Sequence, residues 1–212
     1  MLRGIGVFAA VLLIATTVRA LAARSGTERV GTDYTGTAAI RELSDLRSSL
    51  DRTSGELEVL QLELARSKAL IDLSSRYQVP ADLAGLIYDT ALREGLDPEL
   101  AFRLVKVESN FDRRARSPVG AIGLAQVMVN TARFYERGIT VQRLRDPATN
   151  LTIGFRYLHD LLGTYQGNLR LALLAYNRGP GKVNELLGVG QDPNNGYAKS
   201  VMRGYQTATR LP

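Results

Sequence analysis

Cysteine is absent from this 212-residue chain, and His159 is its single histidine. Without cysteine there can be no disulfide framework, no Cys-rich zinc site, no thiol nucleophile and no lipidated N-terminal cysteine. One histidine excludes any site built on a histidine pair. No long hydrophobic run is present either. Residues 4–18 form an uncharged, mostly apolar stretch of fifteen, too short at ~1.5 Å per residue for a ~30 Å hydrocarbon core. What remains is ordinary: 45% hydrophobic and 23% charged residues, with 20 glycines and 7 prolines. Such a composition excludes wholesale disorder. The length fits one domain of roughly 100–150 residues plus extras.

Charge is unevenly supplied. The chain carries 27 basic and 21 acidic residues, a formal +6. Residues 1–78 hold ten basic and nine acidic groups, against seventeen and twelve in 79–212, so the excess belongs to the C-terminal part. A basic balance suits an anionic partner without selecting one. No nucleic-acid-binding motif accompanies it.

The apolar run comes after Arg3 and precedes Ala20-Leu21-Ala22, the small-x-small pattern of a signal-peptidase site. Residues 1–23 therefore read as an export signal, either cleaved or kept as an inner-membrane anchor; the competing reading is a buried helix of the folded domain. Arg19, just past the apolar run, opposes translocation of the downstream chain. Residues 24–37, rich in glycine, threonine and serine, read as a linker.

A helix is predicted over 38–76. Ala39, Leu43, Leu46, Leu50, Thr53, Leu57, Leu60, Leu64, Ser67 and Ile71 alternate at four and three residues over more than four heptads. That is a coiled-coil seam, weakened by Thr53, Ser67 and nearby Gly55. Two readings stay open: self-association through 39–71, or one amphipathic helix folded against the downstream domain.

From 79 to 212 the chain reads all-α. Pro80 suits a first helical turn, and that helix stops at Gly95. Asp97-Pro98-Glu99 supplies an N-cap, a proline at N1 and an acid in the first turn, opening a helix to about Ser109. Asp146-Pro147 opens another through Leu162, and Asn168 one through Tyr176. Further helices are predicted at 124–137, 182–187 and 196–209. No alternating run is flanked by hairpin turns.

One glutamate stands on a buried stripe. Glu108 lies four residues beyond Leu104 and seven beyond Ala101, in the last turn of its helix. Partial desolvation and the negative helix end both disfavour the carboxylate, and a carboxyl held protonated near neutral pH is what general-acid chemistry needs. The bland alternative is a glutamate paired with one of the many arginines. Downstream, Ser117-Pro118-Val119-Gly120-Ala121-Ile122-Gly123-Leu124-Ala125-Gln126-Val127-Met128 lets backbone approach a ligand closely and offers the Gln126 amide. Ala175-Tyr176-Asn177 ends a helix before a glycine-rich turn. Aromatic faces and amides around one carboxyl suit sugar binding, although a tyrosine at a helix end is also a common core residue.

Together these motifs resemble the soluble lytic transglycosylases, lysozyme-like enzymes of bacterial peptidoglycan. The resemblance runs from about Val79 to Tyr205. It includes Asp146-Pro147, Asn150, Gly154, Tyr157 and Leu158, then Ala175-Tyr176-Asn177 with Gly179, and more weakly Tyr197 to Val201. It implies an all-α, lysozyme-like (goose-type) domain behind the long helix, with 79–212 as the catalytic part. Glu108 matches the family's sole acid/base, and Ser117 the substrate-binding serine near that carboxyl; Gln126, Met128 and Tyr157 match cleft residues, and Tyr176 with Asn177 the pair facing the glutamate. Arg113, Val129 and Arg178 depart from the family pattern, and Arg178 bears on saccharide or stem-peptide preference.

The implied reaction cleaves the bond between N-acetylmuramic acid and N-acetylglucosamine, leaving a 1,6-anhydro end, with no metal and no organic cofactor. The implied partner is the peptidoglycan glycan strand in the periplasm or envelope, and no nucleic acid. Asp112, at the helix end, is a poor second catalyst. The alternatives are a hydrolase of the same fold and a non-catalytic wall-binding scaffold.

Overall fold

The computed structural model describes residues 32–205. The export signal or anchor read over 1–23 lies outside the described residues. The chain divides at Gln61 into two units, Met1–Gln61 and Leu62–Pro212. All regular structure among the described residues is helical: α1 Thr32–Tyr77, α2 Ala81–Arg93, α3 Pro98–Ser109, α4 Val129–Tyr135, α5 Val141–Leu144, α6 Pro147–Thr164, α7 Leu169–Arg178, α8 Pro180–Gly188 and α9 Tyr197–Met202. Helix α1 begins within the 24–37 stretch read as a linker.

In the first unit the described part of α1 presents its leucines to solvent, among them Leu43, Leu46, Leu50 and Leu57. In the second unit α1 is two-sided. Leu73 is buried and Leu70 and Tyr77 pack on the main core, whereas Leu64 and Ile71 stay 54% and 71% exposed. Within the second unit, the residues of α1 that pack on the core are therefore not seam positions.

The caps predicted from sequence set the helix starts. Asp97 accepts from the N–H groups of Glu99 and Leu100, Asp146 from Thr149, and Asn168 from Leu171, each satisfying donors that a helix start leaves free. Ends are fixed as clearly: Asn110 takes the left-handed region at φ 48° after α3, directly past Glu108-Ser109. Apolar periodicity then buries one face of each helix. Leu83 and Ile87 of α2, Leu100 and Leu104 of α3, Leu151, Phe155 and Leu158 of α6 and Leu173 of α7 meet in one cluster. A second, smaller cluster joins Ile122, Ala125 and Val127 to Ala132, Ile139, Leu144 and Ile153.

The second cluster holds the main departure from the predicted helices. Residues 124–128 are not helical; α4 is confined to Val129–Tyr135. Leu124, Ala125 and Val127 are buried, which gives the stretch an apolar look, but Gln126 sits at φ 46° and cannot continue a right-handed helix. Instead Ile122 bridges both Arg116 and Val127, with Ile122 N donating to Val127 O at 3.0 Å. The short helix α5 has no counterpart in the sequence reading, and α9 ends earlier than predicted.

Candidate active site

The bridged loop is fixed from two sides at one residue, Ala125. Asn150, fully buried on α6, accepts the Ala125 N–H through Oδ1 at 2.8 Å. Its Nδ2 donates to the carbonyls of Ile122 at 2.8 Å and Leu144 at 3.1 Å. From the other side the Tyr176 hydroxyl donates to the Ala125 carbonyl at 2.8 Å. Two glycines make room for this. A Cβ on Gly123 would fall 2.7 Å from Asn150 Nδ2, and one on Gly154 2.5 Å from Ala125 Cβ and 2.9 Å from the Tyr176 oxygen. Neither fits without moving the loop.

Glu108 occupies the penultimate position of α3, mostly buried. Its carboxylate accepts a hydrogen bond from the Tyr197 hydroxyl at the start of α9. Burial pushes its pKa up to about 7, and the bond from Tyr197, which favours the charged form, opposes that rise. The predicted desolvation holds, and the arginine partner of the bland alternative is absent: no ion pair to Glu108 occurs among the described residues. Tyr197 and Tyr176 are both pushed well above the ordinary phenol value, by burial first and the neighbouring Glu108 second. Each stays a proton donor across the physiological range.

The tyrosine on the glutamate is thus Tyr197, not Tyr176, whose hydroxyl is taken by Ala125. Asn177 joins the two. Its Oδ1 accepts from Asn195 Nδ2 at 2.8 Å, and Asn195 Oδ1 in turn accepts the Tyr197 N–H at 3.1 Å. The Ala175-Tyr176-Asn177 motif therefore bears on Glu108 through Asn195 and the start of α9.

A cavity of about 310 Å³ collects most of the other predicted positions. Val119, Gln126, Val127, Met128, Thr131, Tyr157, Tyr176, Asn177, Arg178 and Gly179 line it. The Tyr157 ring lies 5.2 Å from that of Tyr176, and both rings line the cavity together with Gln126, Val127 and Met128. The Gln126 amide donates to the Gly123 carbonyl at 2.9 Å, leaving its oxygen available to a ligand. Arg178 lines the same cavity, anchored by its guanidinium to the Pro193 carbonyl at 2.8 Å. Ser117 is outside this lining. Its hydroxyl accepts the Ala121 N–H at 2.9 Å and braces the turn. Asp112 is likewise committed, its carboxylate accepting the Arg114 N–H at 2.8 Å. No group of acidic and histidine side chains suited to a metal ion occurs among the described residues.

A single, mostly buried carboxyl with a pKa of about 7, bonded by the Tyr197 hydroxyl and near enough to Tyr176 of the cavity lining to raise that phenol's pKa, can deliver a proton to a leaving oxygen and take one back.

Comparison with known proteins gives consistent results. The family model described as "Transglycosylase SLT domain" matches residues 85–195. The soluble lytic murein transglycosylase of Salmonella typhimurium is 30% identical over 182 residues, covering 71% of this chain and 28% of the relative. The membrane-bound lytic murein transglycosylase C of Haemophilus ducreyi is 36% identical over 112 residues, covering 46% of this chain and 30% of the relative. Among solved structures, the 70 kDa soluble lytic transglycosylase of Escherichia coli aligns with a TM-score of 0.51 at 29% identity, covering 61% of this chain and 24% of that one. The chain spans less than a third of the length of these relatives.

Proposed function

The chain belongs to the transglycosylase SLT-domain family, and from that premise we propose that it is a peptidoglycan lytic transglycosylase working in the cell envelope. The observation that carries this is Glu108: a buried carboxyl with a pKa of about 7, bonded by Tyr197 beside the cleft. Near neutral pH a large fraction of it holds a proton, and it regains one easily.

In the proposed reaction Glu108 donates its proton to the oxygen joining N-acetylmuramic acid to N-acetylglucosamine, and the C1–O bond breaks. The substrate's own 2-acetamido oxygen stabilises C1, as in substrate-assisted glycosidases. The Glu108 carboxylate then takes the proton of the muramyl 6-hydroxyl as its oxygen bonds to C1. The result is a 1,6-anhydro ring, with no water consumed and Glu108 again protonated. Tyr197 steadies the carboxylate between the two steps. Gln126, Met128, Tyr157, Tyr176 and Asn177 line the saccharide-binding cleft, and Ser117 braces the turn that precedes the Gln126-Val127-Met128 stretch.

Export through residues 1–23, with either release or inner-membrane anchoring, is part of the same reading. So is self-association through the 39–71 seam. Among the described residues no helix is long and apolar enough to cross a membrane.

The test is release of soluble muropeptides from isolated peptidoglycan by the full chain. Wild type solubilises the wall material and Glu108→Gln does not; equal release by both, or none by either, would overturn the assignment.

A further inference from the structure

Helix α1 (Thr32–Tyr77) carries a seam whose leucines are exposed. Within the second unit the helix packs through Leu70, Leu73 and Tyr77, while the seam residues Leu64 and Ile71 remain exposed. The polar seam position Thr53 is self-sufficient. Its hydroxyl donates to the Ser49 carbonyl at 2.9 Å, so burying it would orphan no donor.

The flanks of the seam say what covers it. Assigning Leu43, Leu50, Leu57, Leu64 and Ile71 to heptad position a puts Glu42, Glu56 and Glu63 at g and Arg47 and Lys68 at e. All five are exposed, and none has an ion-pair partner within the chain among the described residues. In a parallel pair of helices each g residue faces the e residue five positions on in the other helix. Glu42 then meets Arg47 of the second copy, Glu63 meets Lys68, and Glu56 meets the neutral Gln61. Every charged contact is attractive or neutral. An antiparallel pair sets g against g and e against e, acid on acid and base on base. Sliding a parallel pair by one heptad keeps at most one attraction, Glu56 with Lys68.

We propose that α1 is a homotypic coiled coil whose occupant is a second copy of this chain, parallel and in register. This rests on the reading of 39–71 as a self-association surface and adds its direction and register.

The experiment uses the full chain, which lacks cysteine, so that single cysteines report pairing directly. Wild type should sediment as an oligomer. Leu43→Cys should form a disulfide-linked dimer with itself on oxidation, and a mixture of Leu43→Cys with Ser67→Cys, an a and a d position that an antiparallel pair would bring together, should give no mixed product. Should the cysteines weaken assembly, a charge variant reads the same point. Glu42→Lys with Glu63→Lys should weaken self-association about tenfold, through loss of g–e attractions individually worth only a few tenths of a kcal/mol. Adding Arg47→Glu and Lys68→Glu should restore it. A monomeric wild type would overturn self-association itself. An oligomer that cross-links only in the Leu43→Cys and Ser67→Cys mixture, or whose charge reversal is not rescued, would overturn the parallel register alone. Wall-degrading activity, measured separately, is not decided by either result.

Discussion

Replacing Glu108 by glutamine should make the protein more stable above about pH 4.5, with the full gain reached above pH 7. The carboxyl has a pKa of about 7 in the fold against an ordinary 4.5. Below about pH 4.5 both the folded and unfolded forms hold the proton, so ionisation contributes nothing to stability. Between the two values the unfolded chain releases its proton while the fold retains it, and stability falls as pH rises. Above pH 7 the fold must bury a carboxylate, at a cost of about 3 kcal/mol for a difference of about 2.5 pH units at ~1.36 kcal/mol each. Glutamine keeps the shape, and its amide oxygen still accepts from Tyr197, but it carries no charge. The variant should therefore match wild type near pH 4.5 and gain up to about 3 kcal/mol at pH 8. For a domain of this size that is roughly 6–12 °C in Tm. Urea denaturation of both proteins at pH 4.5, 6 and 8 measures it. A gap that is the same at all three pH values, or a wild type more stable at pH 8, would refute the assignment of a carboxyl whose burial outweighs its bond from Tyr197.

Activity should decline as pH rises through about 7, because the donor form of Glu108 is lost there; a pH–rate profile flat from 6 to 9 would contradict this. Tyr197→Phe removes the bond that favours the carboxylate, so the alkaline limb should move upward and turnover should drop about 10- to 100-fold with little change in Tm. Tyr176→Phe should behave differently. It orphans the Ala125 carbonyl and should destabilise the fold by about 1–3 kcal/mol, readable as a lower Tm. Gly154→Ala forces a Cβ to 2.5 Å from that of Ala125 and should also destabilise by about 1–3 kcal/mol; an unchanged denaturation midpoint would show that the loop has room to spare.

Local chemistry made much of the fold legible. Asp97-Pro98, Asp146-Pro147 and Asn168 announce their helices because an N-cap is a property of two or three adjacent residues, and the capping bonds form as read. Glu108 was legible for a similar reason, since its place on the stripe of Ala101 and Leu104 comes from helical geometry alone. Residues 124–128 were not. Their apolar character comes from burial beneath Asn150 and Tyr176, and a buried loop resembles a buried helix until the backbone angle of Gln126 is known. Tyr197 shows the other limit. It reaches Glu108 across 89 residues, and nothing next to either residue names its partner. Tyr176, beside the cleft motif, was the natural candidate for that bond, but the Ala125 carbonyl claims its hydroxyl. Long-range hydrogen bonds are decided by how α3, α7 and α9 pack, which periodicity does not specify.

One carboxyl, in the proposed mechanism, both breaks the glycosidic bond and closes the anhydro ring. Mass spectrometry of the muropeptides released from purified peptidoglycan tests this most directly. Wild type should produce 1,6-anhydromuramyl ends, lighter by one water than hydrolytic products, and Glu108→Gln should produce none. Reducing muramyl ends from wild type, or anhydro ends from the variant, would contradict it.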